Sequence, residues 1–82
     1  MITTADLLAR VRIKAMLIGD PELVRLDIGV DVRDGFAVLT GKVDTSEQRQ
    51  AVEDIAAEVP DVLAVKNDLG ISSKGSEAAQ AS

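Results

Sequence analysis

The sequence contains no cysteine and no histidine. Without thiols there is no disulfide staple and no thiolate to act as nucleophile or ligand. Without imidazole the commonest general base and the commonest metal ligand are missing together. Zinc and haem sites, and Ser-His or Cys-His catalysis, are excluded on that inventory. Aromatic residues are almost absent as well, with Phe36 alone and no Trp or Tyr. The core must therefore rest on many small Leu, Ile, Val and Ala contacts, with few large anchors. Positive charge is in deficit: Lys and Arg number 9 against 14 Asp and Glu, for a net charge of −5. Nucleic acid needs a basic surface and aromatic stacking partners, so it is not an expected ligand. Overall electrostatics do not favour an anionic membrane either, although a local basic patch remains open. No apolar run approaches the roughly 20 residues of a membrane span.

What is present is a chain of 82 residues, 46% of them hydrophobic. That is one domain, near the lower limit for folding without a staple. Residues 3 to 18 read as a helix, with Thr3 as N-cap and Asp6 closing a capping box, and with Ile2 and Leu7 placed as a hydrophobic staple. Leu7, Leu8, Val11, Ala15 and Ile18 recur at helical spacing and are the expected buried stripe. Arg10 and Lys14 lie on the other side, with Arg12 further round. Gly19 is placed as a left-handed terminator before Asp20-Pro21. Leu23 and Leu26 are expected to fold back over the edge of the core.

Residues 27 to 43 carry the clearest local signal. Two alternating runs flank Asp34-Gly35, the signature of a two-residue type I′ hairpin. Such a loop sets Arg33 opposite Phe36, Val32 opposite Ala37, Val30 opposite Leu39 and Ile28 opposite Gly41. One face is then Ile28, Val30, Val32, Ala37, Leu39, Gly41 and Val43, all apolar or small. The other holds Asp27, Asp31, Arg33, Phe36, Val38, Thr40 and Lys42. Thr45-Ser46-Glu47-Gln48 opens a second helix as a capping box. Its buried stripe is Ala51, Val52, Ile55, Ala56 and Val59, and Pro60-Asp61 ends it. Val62 to Ile71 reads as a third strand. Residues 72 to 82 lack apolar periodicity and are expected to form a disordered tail, in which Lys74 and Glu77 cancel.

The predicted fold class is α+β: an αββαβ two-layer sandwich, with a three-stranded sheet carrying both helices on one face. Residues 1–71 form the single domain and 72–82 the tail. The sequence does not decide whether the third strand lies beside the first or the second.

These elements, with Asp34-Gly35, Leu39-x-Gly41-x-Val43, Ala51, Ile55-Ala56, Val59 and Val62-x-x-Val65-x-Asn67-x-Leu69, resemble the BON domain family over roughly residues 4 to 71. One departure is Asp61, where the family usually has glycine; aspartate tolerates the left-handed conformation better than most residues. The resemblance implies a bacterial envelope or stress-related module that binds rather than catalyses. Phospholipid surfaces are the ligand usually proposed for the family, and osmotic-stress and potassium-responsive proteins carry such domains. A potassium site would use backbone carbonyls, so no side chain nominates one. No cofactor is implied.

Several residues have a functional and a plainer reading. Arg10, Arg12 and Lys14 are either a solvated helix face or a contact for phosphate headgroups. Phe36 and Val38, with Arg33 beside them, lie on the sheet face that neither helix covers, and form a candidate partner surface. Asp27 and Asp31 share that face but stand roughly 13 Å apart, too far to hold one cation together. Gly41 is expected to admit a closely packed helix, and Asn67 to tie its strand to a neighbouring loop. With no nucleophile–base pair and no Gly-rich phosphate loop, catalysis is not expected. The expected partner is a phospholipid surface or, alternatively, a protein, including self-association as a weak homo-oligomer. Met1 leads straight into a polar helix start with no signal-peptide pattern. The expected location is cytoplasmic, or periplasmic for a fragment of a secreted precursor.

Overall fold

The Asp34-Gly35 pair sets the geometry from which the sheet is built. In the computed structural model, which describes residues 2–72, Asp34 has φ 52° and Gly35 φ 79°. Two successive left-handed residues make the type I′ turn that matches strand twist. It joins β1 (Ile28–Arg33) to β2 (Phe36–Val43). The antiparallel register pairs Ile28 with Gly41, Val30 with Leu39, Val32 with Ala37 and Arg33 with Phe36, as the alternation predicts.

β2 is the central strand. β3 (Ala64–Asn67) runs parallel to it, from Phe36↔Ala64 to Leu39↔Asn67. β4 (Gly70–Ile71) pairs with β2 further along, at Lys42↔Gly70 and Val43↔Ile71. The offset is the same in both ladders, so β4 resumes β3 after an interruption at Asp68 and Leu69. The Asp68 N–H still donates to the Leu39 carbonyl at 2.8 Å. The third strand thus lies beside the second.

Two helices close the inner face. α1 (Thr4–Ile18) and α2 (Ser46–Glu58) each begin with a reciprocated capping box, Thr3 with Asp6 and Thr45 with Gln48. From the sheet, Ile28, Val32, Ala37, Leu39 and Val43 point into the core; Val52, Ala56 and Val59 meet them from α2 and its C-terminus. Leu23, in the turn after α1, is buried at the core edge, with Leu26 packed against it.

The buried face of α1 is not the one the spacing suggests. Ala9, Ile13 and Leu17 enter the core, together with Asp6. Leu7, Leu8, Val11, Ala15 and Ile18 face out. The helix is apolar on two sides, and its rotation is fixed by polar contacts described below. Three smaller expectations are also corrected. Gly19 ends α1 in a right-handed conformation (φ −77°), so Asp20-Pro21 supplies the break. Asp61 is not left-handed, since among the described residues Asp34 is the only non-glycine with positive φ; the turn closes through Val62 N–H to the Val59 carbonyl. Gly41 (φ 113°) faces strand backbone instead of a helix: a Cβ there would strike the Asp27 carbonyl. Of the expected tail 72–82, Ser72 still meets the sheet, its N–H donating to the Val43 carbonyl at 2.6 Å, and residues 73–82 lie outside the described residues. Among the described residues no helix is long and apolar enough to cross a membrane.

Candidate functional site

The site begins with the contact that orients α1. The Asp6 carboxylate accepts the Thr3 N–H at 3.1 Å and, across the fold, the N–H groups of Asp34 at 2.8 Å and Gly35 at 3.0 Å. Successive left-handed residues aim their N–H groups into one small concavity that suits an anion. Here the protein's own carboxylate fills it. Thr3 first, then Asp34 and Gly35, hold the Asp6 carboxyl at about 2, down from 3.8, although burial pushes the other way. One residue past the core position Ile13, the Lys14 ammonium donates to the Ile28 carbonyl at 3.0 Å. One end of α1 is therefore tied to the hairpin turn and its middle to the start of β1.

With α1 pinned in that rotation, its outward side carries the apolar residues. Leu8 is 53% exposed, Val11 62% and Ile18 65%, with Leu7 and Ala15 beside them. At 3.6 residues per turn this stripe lies opposite Ala9, Ile13 and Leu17. Arg10 and Lys14 border it on one side and Arg12 on the other. The only acidic residue of α1 is Asp6, turned inward. In a protein of net charge −5, the outward face of α1 is apolar and cation-flanked. Among the described residues Arg10 and Arg12 make no ion pair, the pairs being Asp31–Arg33 and Lys66–Asp68.

The residues nominated from sequence fall into two separate places. Arg10, Arg12 and Lys14 all lie on α1, but Lys14 also has the structural role just described. Arg33, Phe36 and Val38 lie on the outer sheet face, in the opposite layer. Phe36 is 46% exposed, Val38 half-buried, and Arg33 pairs with Asp31 at 3.3 Å. At the hairpin turn stands a residue that sequence reasoning passed over: Leu63 is 81% exposed, its side chain against Gly35 and lining a groove with Glu53 and Ala57 of α2. Asn67 is also more committed than expected. Its Nδ2 donates to the Arg49 carbonyl at 3.2 Å and to Glu53 Oε1 at 3.0 Å, and its Oδ1 accepts from Leu69 N–H. It ties β3 to the short segment that follows it, as expected, and to α2 as well, which leaves no free amide for a ligand.

The BON domain family model matches residues 5–72, nearly all of the described chain. The chain belongs to the BON domain family. No curated protein matches it. BON domains are binding-type domains not known as catalytic, and phospholipid binding is the activity attributed to them. In this BON domain the signal that could have exposed the outward stripe was in the helix itself. Apolar residues surround α1 on nearly all sides, and its outward charges are of one sign. The core takes only one side of it, that of Ala9, Ile13 and Leu17.

Proposed function

We propose that this domain binds the surface of a phospholipid bilayer through the outward face of α1. Leu8, Val11, Ile18 and Leu7 enter the interface, while Arg10, Arg12 and Lys14 meet headgroup phosphates. The observation that carries this reading is the exposed apolar stripe on a helix whose other side already makes the core. Fully burying a Leu, Val or Ile is worth about 1.5–3 kcal/mol. Side chains roughly half exposed therefore have about 1 kcal/mol each left to gain. A cation near an anionic bilayer adds about 1 kcal/mol. Stable surface attachment takes two such signals, and this face has both. The acidic remainder of the molecule opposes any other orientation. A role in the bacterial envelope, under osmotic or related stress, is the setting this ligand fits.

Co-sedimentation with vesicles tests the reading. The expected result is binding to phosphatidylglycerol-containing vesicles that weakens as salt rises, because screening removes the cationic contribution. No binding to anionic or zwitterionic vesicles at low salt would overturn it.

A second reading, a protein partner or a second copy on the outer sheet face, is favoured by Phe36 standing exposed on that face beside the half-buried Val38. Light scattering over a concentration series separates the two: a concentration-dependent dimer without lipid affinity would favour the sheet face.

A further inference from the structure

A groove of about 300 Å³ runs between the C-terminal half of α1 and the end of α2, lined by Arg12, Ala15, Met16, Glu58, Val59 and Pro60. We propose that this groove is a headgroup site for a lipid bearing phosphoethanolamine, with Arg12 on the phosphate and Glu58 on the ammonium. The proposal rests on the reading that the outward face of α1 meets a bilayer.

Arg12 and Glu58 are opposite charges on the wall of one groove, yet no ion pair joins them within 4.0 Å; among the described residues the pairs lie elsewhere, at Asp31–Arg33 and Lys66–Asp68. The rest of the lining is apolar, so no other side chain there competes for either charge. A cation and an anion on one apolar groove, not paired with each other, are complementary to a zwitterion. The planar guanidinium suits two phosphate oxygens at once. Ala15 belongs both to the groove and to the outward stripe, so a headgroup seated here leaves its acyl chains beside Val11 and Leu8.

The same chemistry separates the common headgroups. A primary ammonium is a compact donor that can reach a carboxylate directly. The trimethylammonium of choline has no N–H and is recognised by aromatic faces. This chain has one aromatic, Phe36, on the opposite layer. Phosphatidylglycerol offers Glu58 no cation at all. Choline and glycerol headgroups should therefore use the cationic flank of α1 without gaining anything from Glu58.

The test compares vesicles of phosphatidylethanolamine and phosphatidylglycerol with vesicles in which phosphatidylcholine replaces the phosphatidylethanolamine at equal mole fraction. Wild type and Glu58→Gln are sedimented with both, after thermal melts have shown that the variant folds. Wild type should prefer the phosphatidylethanolamine vesicles by roughly three- to fivefold, the size of one exposed ion pair. Glu58→Gln should lose that preference and keep its binding to the phosphatidylcholine mixture. Looser packing of phosphatidylethanolamine bilayers acts on both proteins alike, so a preference that survives in Glu58→Gln overturns the headgroup site. Equal wild-type binding to both mixtures also overturns it, while leaving the bilayer reading of α1 standing. Failure to bind either mixture overturns both.

Discussion

Leu39→Ala probes the register on which every other placement depends. Leu39 is 0% exposed, on the central strand, within the core that the helices close. Its neighbours across the sheet are Val30 on one side and Asn67 on the other. Truncation removes the transfer free energy of the lost methyl and methylene groups and leaves a cavity, for a cost of about 2–5 kcal/mol in a core. The value depends on how far the walls can collapse. β2 is hydrogen-bonded along both edges, and α1 and α2 are held by Asp6, Lys14 and Asn67, so little relaxation is available. The expected loss lies in the upper half of the range, about 3–5 kcal/mol. One kcal/mol shifts the melting temperature of a domain this size by roughly 4–8 °C. The midpoint should thus fall by at least about 12 °C, a large share of the stability of a domain this small. Urea unfolding followed by circular dichroism measures it. A loss below about 1 kcal/mol would refute the packing and register described for β2.

Two further predictions concern the backbone turns. Asp6 has its folded-state carboxyl at about 2, below its ordinary 3.8, so its contribution to stability is complete above about pH 4 and is lost as pH falls towards 2. Acid titration of the unfolding midpoint should show a drop in that window, and Asp6→Asn should flatten it while lowering stability at neutral pH; an unchanged acid profile would refute the clamp. Gly41→Ala should destabilise by at least about 1–3 kcal/mol, because φ is 113° and the added carbon meets the Asp27 carbonyl. A neutral result in the same urea assay would mean that this crossing is looser than described.

The hairpin was fully legible because two independent signals agree there. Asp34-Gly35 fixes the turn, and the alternation around it permits only one register that separates apolar from polar residues. α2 was legible for the same reason: its capping box and its single apolar stripe point to one orientation. α1 was not. Ala9, Ile13 and Leu17 make one apolar face and Leu7, Val11 and Ile18 another, so periodicity finds a helix without choosing its buried side. The choice is made by long-range polar contacts, Asp6 to the Asp34 and Gly35 N–H groups and Lys14 to the Ile28 carbonyl. An Asp at N3 is explained locally by its capping box, which hides its second role. The consequence is functional: residues assigned to the core are the candidate lipid face, and the basic residues nominated beside them form its border. Strand order was closed to sequence reasoning because either edge of the hairpin could accept β3. Glu58 went unnoticed because its partner across the groove, Arg12, is far away in sequence.

The central claim is that the outward stripe of α1 contributes to bilayer binding and not to the core, and the double variant Leu8→Gln/Val11→Gln tests it most directly. Glutamine keeps the helix propensity while removing two side chains that are 53% and 62% exposed. Folding stability should change by no more than about 0.5 kcal/mol per site, as for ordinary surface positions. Partitioning onto phosphatidylglycerol vesicles should weaken by about 2 kcal/mol, roughly thirtyfold. Unchanged partitioning, or a loss of several kcal/mol in stability, would contradict it.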